Sequence, residues 1–117
     1  MPAYGSFVTG VARGRLGSSA DAPATGELTE EIGRVGGVAI EQILSGQLLA
    51  PVDYDQAHDE WVAVLHGGAV LEVAGERFEL TAGDWIFLPA HCPHRLVETH
   101  PGTTWLALHG PGSDALT

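Results

Sequence analysis

The sequence contains no lysine, and its five basic residues, Arg13, Arg15, Arg34, Arg77 and Arg95, are all arginines. That absence excludes a Schiff-base lysine and the lysine of a phosphate-binding P-loop. A single cysteine, Cys92, cannot form an internal disulfide, and a four-thiolate zinc site is impossible. Positive charge is scarce altogether. Fifteen acids against five bases give a formal net charge of −10 at pH 7. That balance repels nucleic acid and anionic membrane and predicts neither as a partner. No apolar run approaches the roughly 20 residues of a membrane span. No apolar stretch behind basic residues marks a secretory signal between Met1 and Gly14. A cytoplasmic protein is expected. The sequence also lacks a GxSxG elbow, a CxxC pair and an HExxH helix.

What is present is enough for one globular domain: 117 residues, 44% of them hydrophobic, with three tryptophans. Residues 1–36 are rich in Gly, Ala, Ser and Thr with weak periodicity, and read as an irregular N-terminal arm. Within it, Thr25 to Ile32 allows either a short helical turn or an extended arm. From Val38 the texture changes. Apolar runs recur at Val38–Leu49, Glu60–Leu65, Ala69–Ala74, Glu76–Leu80, Asp84–Leu88, His94–Glu98 and Thr103–His109, separated by Gly and Pro. Such spacing predicts an all-β sandwich or barrel over residues 37–110, followed by a tail at 111–117. Several runs are apolar on both faces, as in Glu60 to Leu65. The second face then needs cover from another sheet, the arm or a second subunit, and a homodimer is the economical expectation.

Two motifs carry a family resemblance. Glu60 is followed by six residues and Gly67; further on, Gly83, Pro89 and His94 stand in a fixed register, with His91 where a second glycine is usual. Together with Tyr54-Asp55-Gln56, Asp59-Glu60-Trp61-Val62 and Thr104-Trp105-Leu106-Ala107, this resembles a branch of small single-domain bacterial cupins. The resemblance implies a double-stranded β-helix, a jelly-roll barrel with its site inside. It also implies a divalent metal held by three histidines and a glutamate, of which only Glu60 and His94 remain in register here. The His-x-His expected before Glu60 is replaced by Asp53, Tyr54, Asp55 and Gln56.

Two chemistries therefore stand side by side. In the first, Gln56, His58, Glu60 and His94 hold a divalent ion (Zn, Fe, Mn or Ni) that activates a small organic substrate for isomerisation, cyclisation, lyase chemistry or oxygenation. The spacing of two between His58 and Glu60 would place both on one face of a continuous strand. In the second, the barrel is metal-free, and Glu60, His94 and Tyr54 bind a small molecule, sense it, or act on it as acid and base. The remaining candidates read as structural. His66 and His100 belong to loops, His109 closes the last strand, and Arg95 pairs with Glu98 or an acid of the arm. Trp61, Trp85 and Trp105 are core or subunit-face residues, and Asp84 is turn chemistry.

Overall fold

The structure, a computed structural model, describes residues 10–111. The start of the expected arm and the expected tail from 112 onward lie outside those residues. A 3-10 turn at Ser19–Asp21 precedes nine strands: β1 (Glu27–Val35), β2 (Val38–Ser45), β3 (Val52–Tyr54), β4 (Glu60–His66), β5 (Gly68–Val73), β6 (Glu76–Thr81), β7 (Trp85–Leu88), β8 (His94–Thr99) and β9 (Thr103–His109). They form a five-stranded sheet in the order β1-β2-β9-β4-β7 and a four-stranded sheet in the order β3-β8-β5-β6. Paired strands run antiparallel throughout both sheets. This is the all-β jelly roll that the sequence predicts. No helix among the described residues is long and apolar enough to cross a membrane.

Alternation along each strand decides what enters the space between the sheets. In β4, Glu60, Val62 and Val64 are buried while Trp61 and Ala63 are only partly so. Val62 and Val64 join Ala69, Leu71, Leu80, Leu96, Trp105 and Ala107 in one apolar cluster. Glu60 thus enters the interior on the same face as the core, a placement set by pleat and register with β9. The hairpins close with the turn residues their geometry requires. Ala74 and Gly75, at φ 51° and 81°, form the two-residue turn from β5 to β6, where positive φ at both positions matches the twist of the ribbon.

Residues 27–35 depart from the expected irregular arm. They form β1, paired along its length with β2 from Glu27 opposite Ser45 to Val35 opposite Val38, with a bulge between Glu31 and Gly33. The reason is physical. Leu28 and Ile32 face outward, 54% and 40% exposed, while Glu27 and Thr29 face a cavity. A strand with its polar residues inside and its apolar ones outside gives no core-facing signal to read. The short β3 escaped for a simpler reason: three residues carry no periodicity. The run expected from Val38 to Leu49 stops at Ser45, because Gly46 lies against the arm. A Cβ there would stand 2.1 Å from the carbonyl oxygen of Pro23. Gly46 N–H donates to the Gly26 carbonyl at 2.8 Å, tying the entry of β1 to the exit of β2.

Candidate functional site

Between the sheets, at the end where β1, β2 and β3 meet the start of β4, lies a cavity of about 390 Å³. Its apolar floor comes from Val62, Leu71, Leu88, Leu96 and Trp105. Its polar wall comes from β1 and β2 on one side, through Glu27, Thr29 and Glu41. Tyr54, Gln56, Glu60, His94 and His109 complete it.

One hydrogen-bonded chain fixes the β1 side. The Trp105 indole Nε1–H donates to Ser45 Oγ at 2.9 Å, and Ser45 in turn donates to Glu27 Oε2 at 2.5 Å. Tyr54 donates its hydroxyl to the other carboxylate oxygen, Oε1, at 3.3 Å. Burial, followed by the neighbouring Glu27, pushes the Tyr54 phenol up to about 12, so it remains a donor at any physiological pH. Tyr54 also stacks on His94, with ring centroids 5.4 Å apart and planes 17° from parallel. His94 lies within hydrogen-bonding distance of the Cys92 carbonyl, Nδ1 to oxygen 3.1 Å. A carbonyl accepts only, so Nδ1 carries the proton and, in the neutral ring, Nε2 keeps its lone pair.

A second chain runs along β9. His109 Nε2 lies 3.0 Å from Glu41 Oε1 and 3.9 Å from Glu60 Oε2. Facing carboxylates, Nε2 must be the protonated nitrogen, which leaves Nδ1 of the neutral ring to accept from His58 Nε2 at 2.8 Å. Glu60 is only 8% exposed. Burial pushes its carboxyl above the ordinary carboxylate value and Glu41 adds to the rise, while His109, His94 and His58 pull against it.

The loop holding Gln56 is pinned by backbone contacts. His91 N–H donates to the Gln56 carbonyl at 2.7 Å, and His91 itself adopts φ 60°. That is the left-handed conformation that a glycine would supply at this motif position, so histidine fills the role at a steric cost. Asp59 secures the same loop by accepting from Ala90 N–H at 2.9 Å.

The cupin domain model matches residues 39–108 of this chain. The chain belongs to the cupin family. A protein of Ralstonia eutropha JMP134, provisionally described as a mannose-6-phosphate isomerase, is 37% identical to this cupin; the match covers 83% of this chain and 98% of that one with a TM-score of 0.71. KdgF of a Halomonas species is 20% identical, over 79% and 86% of the two chains, with a TM-score of 0.68. An RmlC-like cupin of Shewanella frigidimarina NCIMB 400 is 18% identical, over 89% and 96%, with a TM-score of 0.64. The last two show the shared fold alone. No curated protein matches the sequence.

Of the residues singled out in the sequence, Tyr54, Gln56, Glu60 and His94 of this cupin line one cavity. His58 does not. Strand β4 begins only at Glu60, so the expected shared strand face never forms. His58 turns toward His109 and lines an adjoining cleft with Arg34, Gly37 and Ala39. His109, read from sequence as structural, instead faces the cavity with Glu41. Its phase with Trp105 and Ala107 was the available signal. Glu27 and Glu41 passed unnoticed because neither stands in a motif. Arg95 pairs not with Glu98 but with Asp53, across β3 and β8, at 2.7 Å. Asp84 does serve its turn, accepting from Thr81 N–H at 2.8 Å. The metal set expected by resemblance does not fit this arrangement. Among the described residues no three of His, Cys, Asp and Glu converge as ligands, and the Nε2 of His58 is committed to His109.

Proposed function

We propose that this cupin binds a small organic molecule in the cavity and transfers a proton on it, with Glu60 as the acid–base group. His94 and Tyr54 flank the reacting position. The observation that carries this reading is a carboxylate 8% exposed, with its proton affinity raised by burial, at the wall of a 390 Å³ cavity. Such a carboxyl is poised to exchange protons nearer neutrality than a solvated one. His94 presents a lone pair through Nε2, and Tyr54 supplies a donor. The isomerase description of the Ralstonia relative, at 37% identity, supports the same class of chemistry, since isomerisation beside a carbonyl moves protons. The test is solvent-deuterium incorporation, followed by proton NMR, into a panel of small hydroxy- and amino-carbonyl compounds. The wild type is expected to exchange a carbon-bound proton in at least one of them. Glu60→Gln should reduce that rate by about 10²–10⁴-fold. Undiminished exchange in the variant refutes the assignment.

Metal-dependent catalysis through Gln56, His58, Glu60 and His94 is the weaker reading, because His58 points away. Elemental analysis, with a melting curve before and after chelator, separates the two. Metal held at 100 times its dissociation constant adds about 2.7 kcal/mol to stability. The expected homodimer belongs to the same proposal. Trp85 and Phe87 on the outer face of β7 are 61% and 51% exposed, an apolar face of the kind subunits bury. Sedimentation mass tests it.

A further inference from the structure

The charge of the cavity is one-sided. Glu27, Glu41 and Glu60 line it, and no arginine does, in a chain that has no lysine. Arg95 stands in the adjoining cleft, which shares Tyr54 and His94 with the cavity, and its guanidinium is held by Asp53 at 2.7 Å. Among the described residues no helix N-terminus faces the cavity either, since strands and loops form all of its walls. A phosphate or carboxylate entering here would meet three carboxylates, with no arginine, lysine or helix N-terminus to offset them.

The three carboxylates are not equivalent. Glu27 accepts from Ser45 and Tyr54, one donor to each oxygen. Glu41 accepts from His109 at 3.0 Å. Glu60 is different. It is 8% exposed, and among the described residues no side chain hydrogen-bonds its carboxylate, His109 standing off at 3.9 Å. Its oxygens open on the cavity, so a ligand there can supply the donor that the surrounding side chains do not. Beside it, Val62, Leu88 and Trp105 offer apolar surface for a hydrocarbon body.

We infer that the cavity selects a small organic ammonium ion, its N–H donating to Glu60 and its hydrocarbon part resting on Val62, Leu88 and Trp105, and that it rejects phosphorylated and carboxylated ligands. This rests on the reading of the cavity as a ligand site. It also separates this chain from the sugar phosphate in the description of its Ralstonia relative, whose dianion no arginine or lysine in this cavity would balance.

Three probes of one shape decide it: cyclohexylammonium, cyclohexanol and cyclohexanecarboxylate, titrated by calorimetry and by NMR of the Trp105 indole N–H. Mannose 6-phosphate serves as a fourth. The ammonium is expected to bind about tenfold or more tighter than the alcohol, with no binding of either anion. Glu60→Gln, checked for folding by its melt, should bring ammonium and alcohol to similar affinity. A carboxylate or sugar phosphate that binds as well as the ammonium overturns the inference. An ammonium preference that persists in Glu60→Gln also overturns it. Alcohol binding with no ammonium preference overturns this inference alone and leaves the ligand site standing. Silence from all four probes at tens of millimolar overturns both. Ammonium selectivity without deuterium exchange supports the inference and counts against the catalytic reading instead.

Discussion

Removing the hydroxyl of Ser45 tests how the cavity wall is held. Ser45 is fully buried and Trp105 is 3% exposed. The serine oxygen accepts from the indole at 2.9 Å while its proton goes to Glu27. Ser45→Ala deletes one small atom and therefore opens little cavity. Its cost comes from two stranded groups. The indole N–H, sealed in the core, loses its acceptor at about 1–3 kcal/mol. Glu27 loses a donor but borders the cavity, where water can substitute, so its share falls to about 1 kcal/mol. The sum is about 2–4 kcal/mol. In urea, with a slope of about 2 kcal/mol/M for a small domain, the midpoint should drop by roughly 1–2 M with the slope unchanged. A double-mutant cycle isolates the indole contribution. With Trp105→Phe already present, Ser45→Ala should cost about 1–2 kcal/mol less than it does alone. A loss below about 0.5 kcal/mol, or strict additivity in the cycle, would show that water satisfies the indole and that this chain does not hold the wall.

Three further outcomes are expected. Burial raises the Glu60 carboxyl, so between its unfolded and folded values the native state holds more protons, and stability falls as pH rises through that window. Glu60→Gln should abolish that slope and gain about 1 kcal/mol at neutral pH, as polar groups held for function often permit; urea midpoints across pH 4–9 check both, and a less stable variant at neutral pH contradicts the burial argument. Ultraviolet titration at 295 nm should show a tyrosine ionising near 12, absent from Tyr54→Phe; a normal titration in the wild type would mean the phenol is solvated. His91 holds φ 60°, so His91→Gly should leave stability within about 1 kcal/mol of wild type, relief of strain offsetting the freer unfolded chain. A much larger loss in thermal unfolding would assign the His91 side chain a packing role.

The barrel was legible because its signals are local and redundant. Each run from Glu60 to His109 is short, rich in β-branched and aromatic residues and punctuated by glycine or proline. Glu60 and His94 were legible through their spacing to Gly67, Gly83 and Pro89. What escaped depends on partners distant in sequence. Glu27 matters because Ser45 and Tyr54 reach it across 18 and 27 residues. Glu41 matters because β2 pairs with β9 and sets it opposite Ala107, two residues from His109. His58 failed as a cavity residue because a strand start two residues later cannot be located by composition, and that start alone decides which way the ring turns.

Strand β1 lies wholly before the residues that match the cupin domain, 39–108, yet contributes Glu27 and Thr29 to the cavity. The barrel is thus a vessel whose lip, at β1, lies outside the residues that match the domain. Strand β1 pairs with β2 at one end of the strand order, so Thr29 can be exchanged without disturbing the apolar cluster of the barrel, whereas Glu27 is tied to that cluster through Ser45 and Trp105. Substitution at residue 29 is accordingly a route to new ligand preference at small structural risk, while substitution at residue 27 also unties the Ser45 and Tyr54 hydroxyls. Two cupins that agree throughout the barrel can then still differ in what they bind, and a transfer of function between them should compare the lip before the vessel.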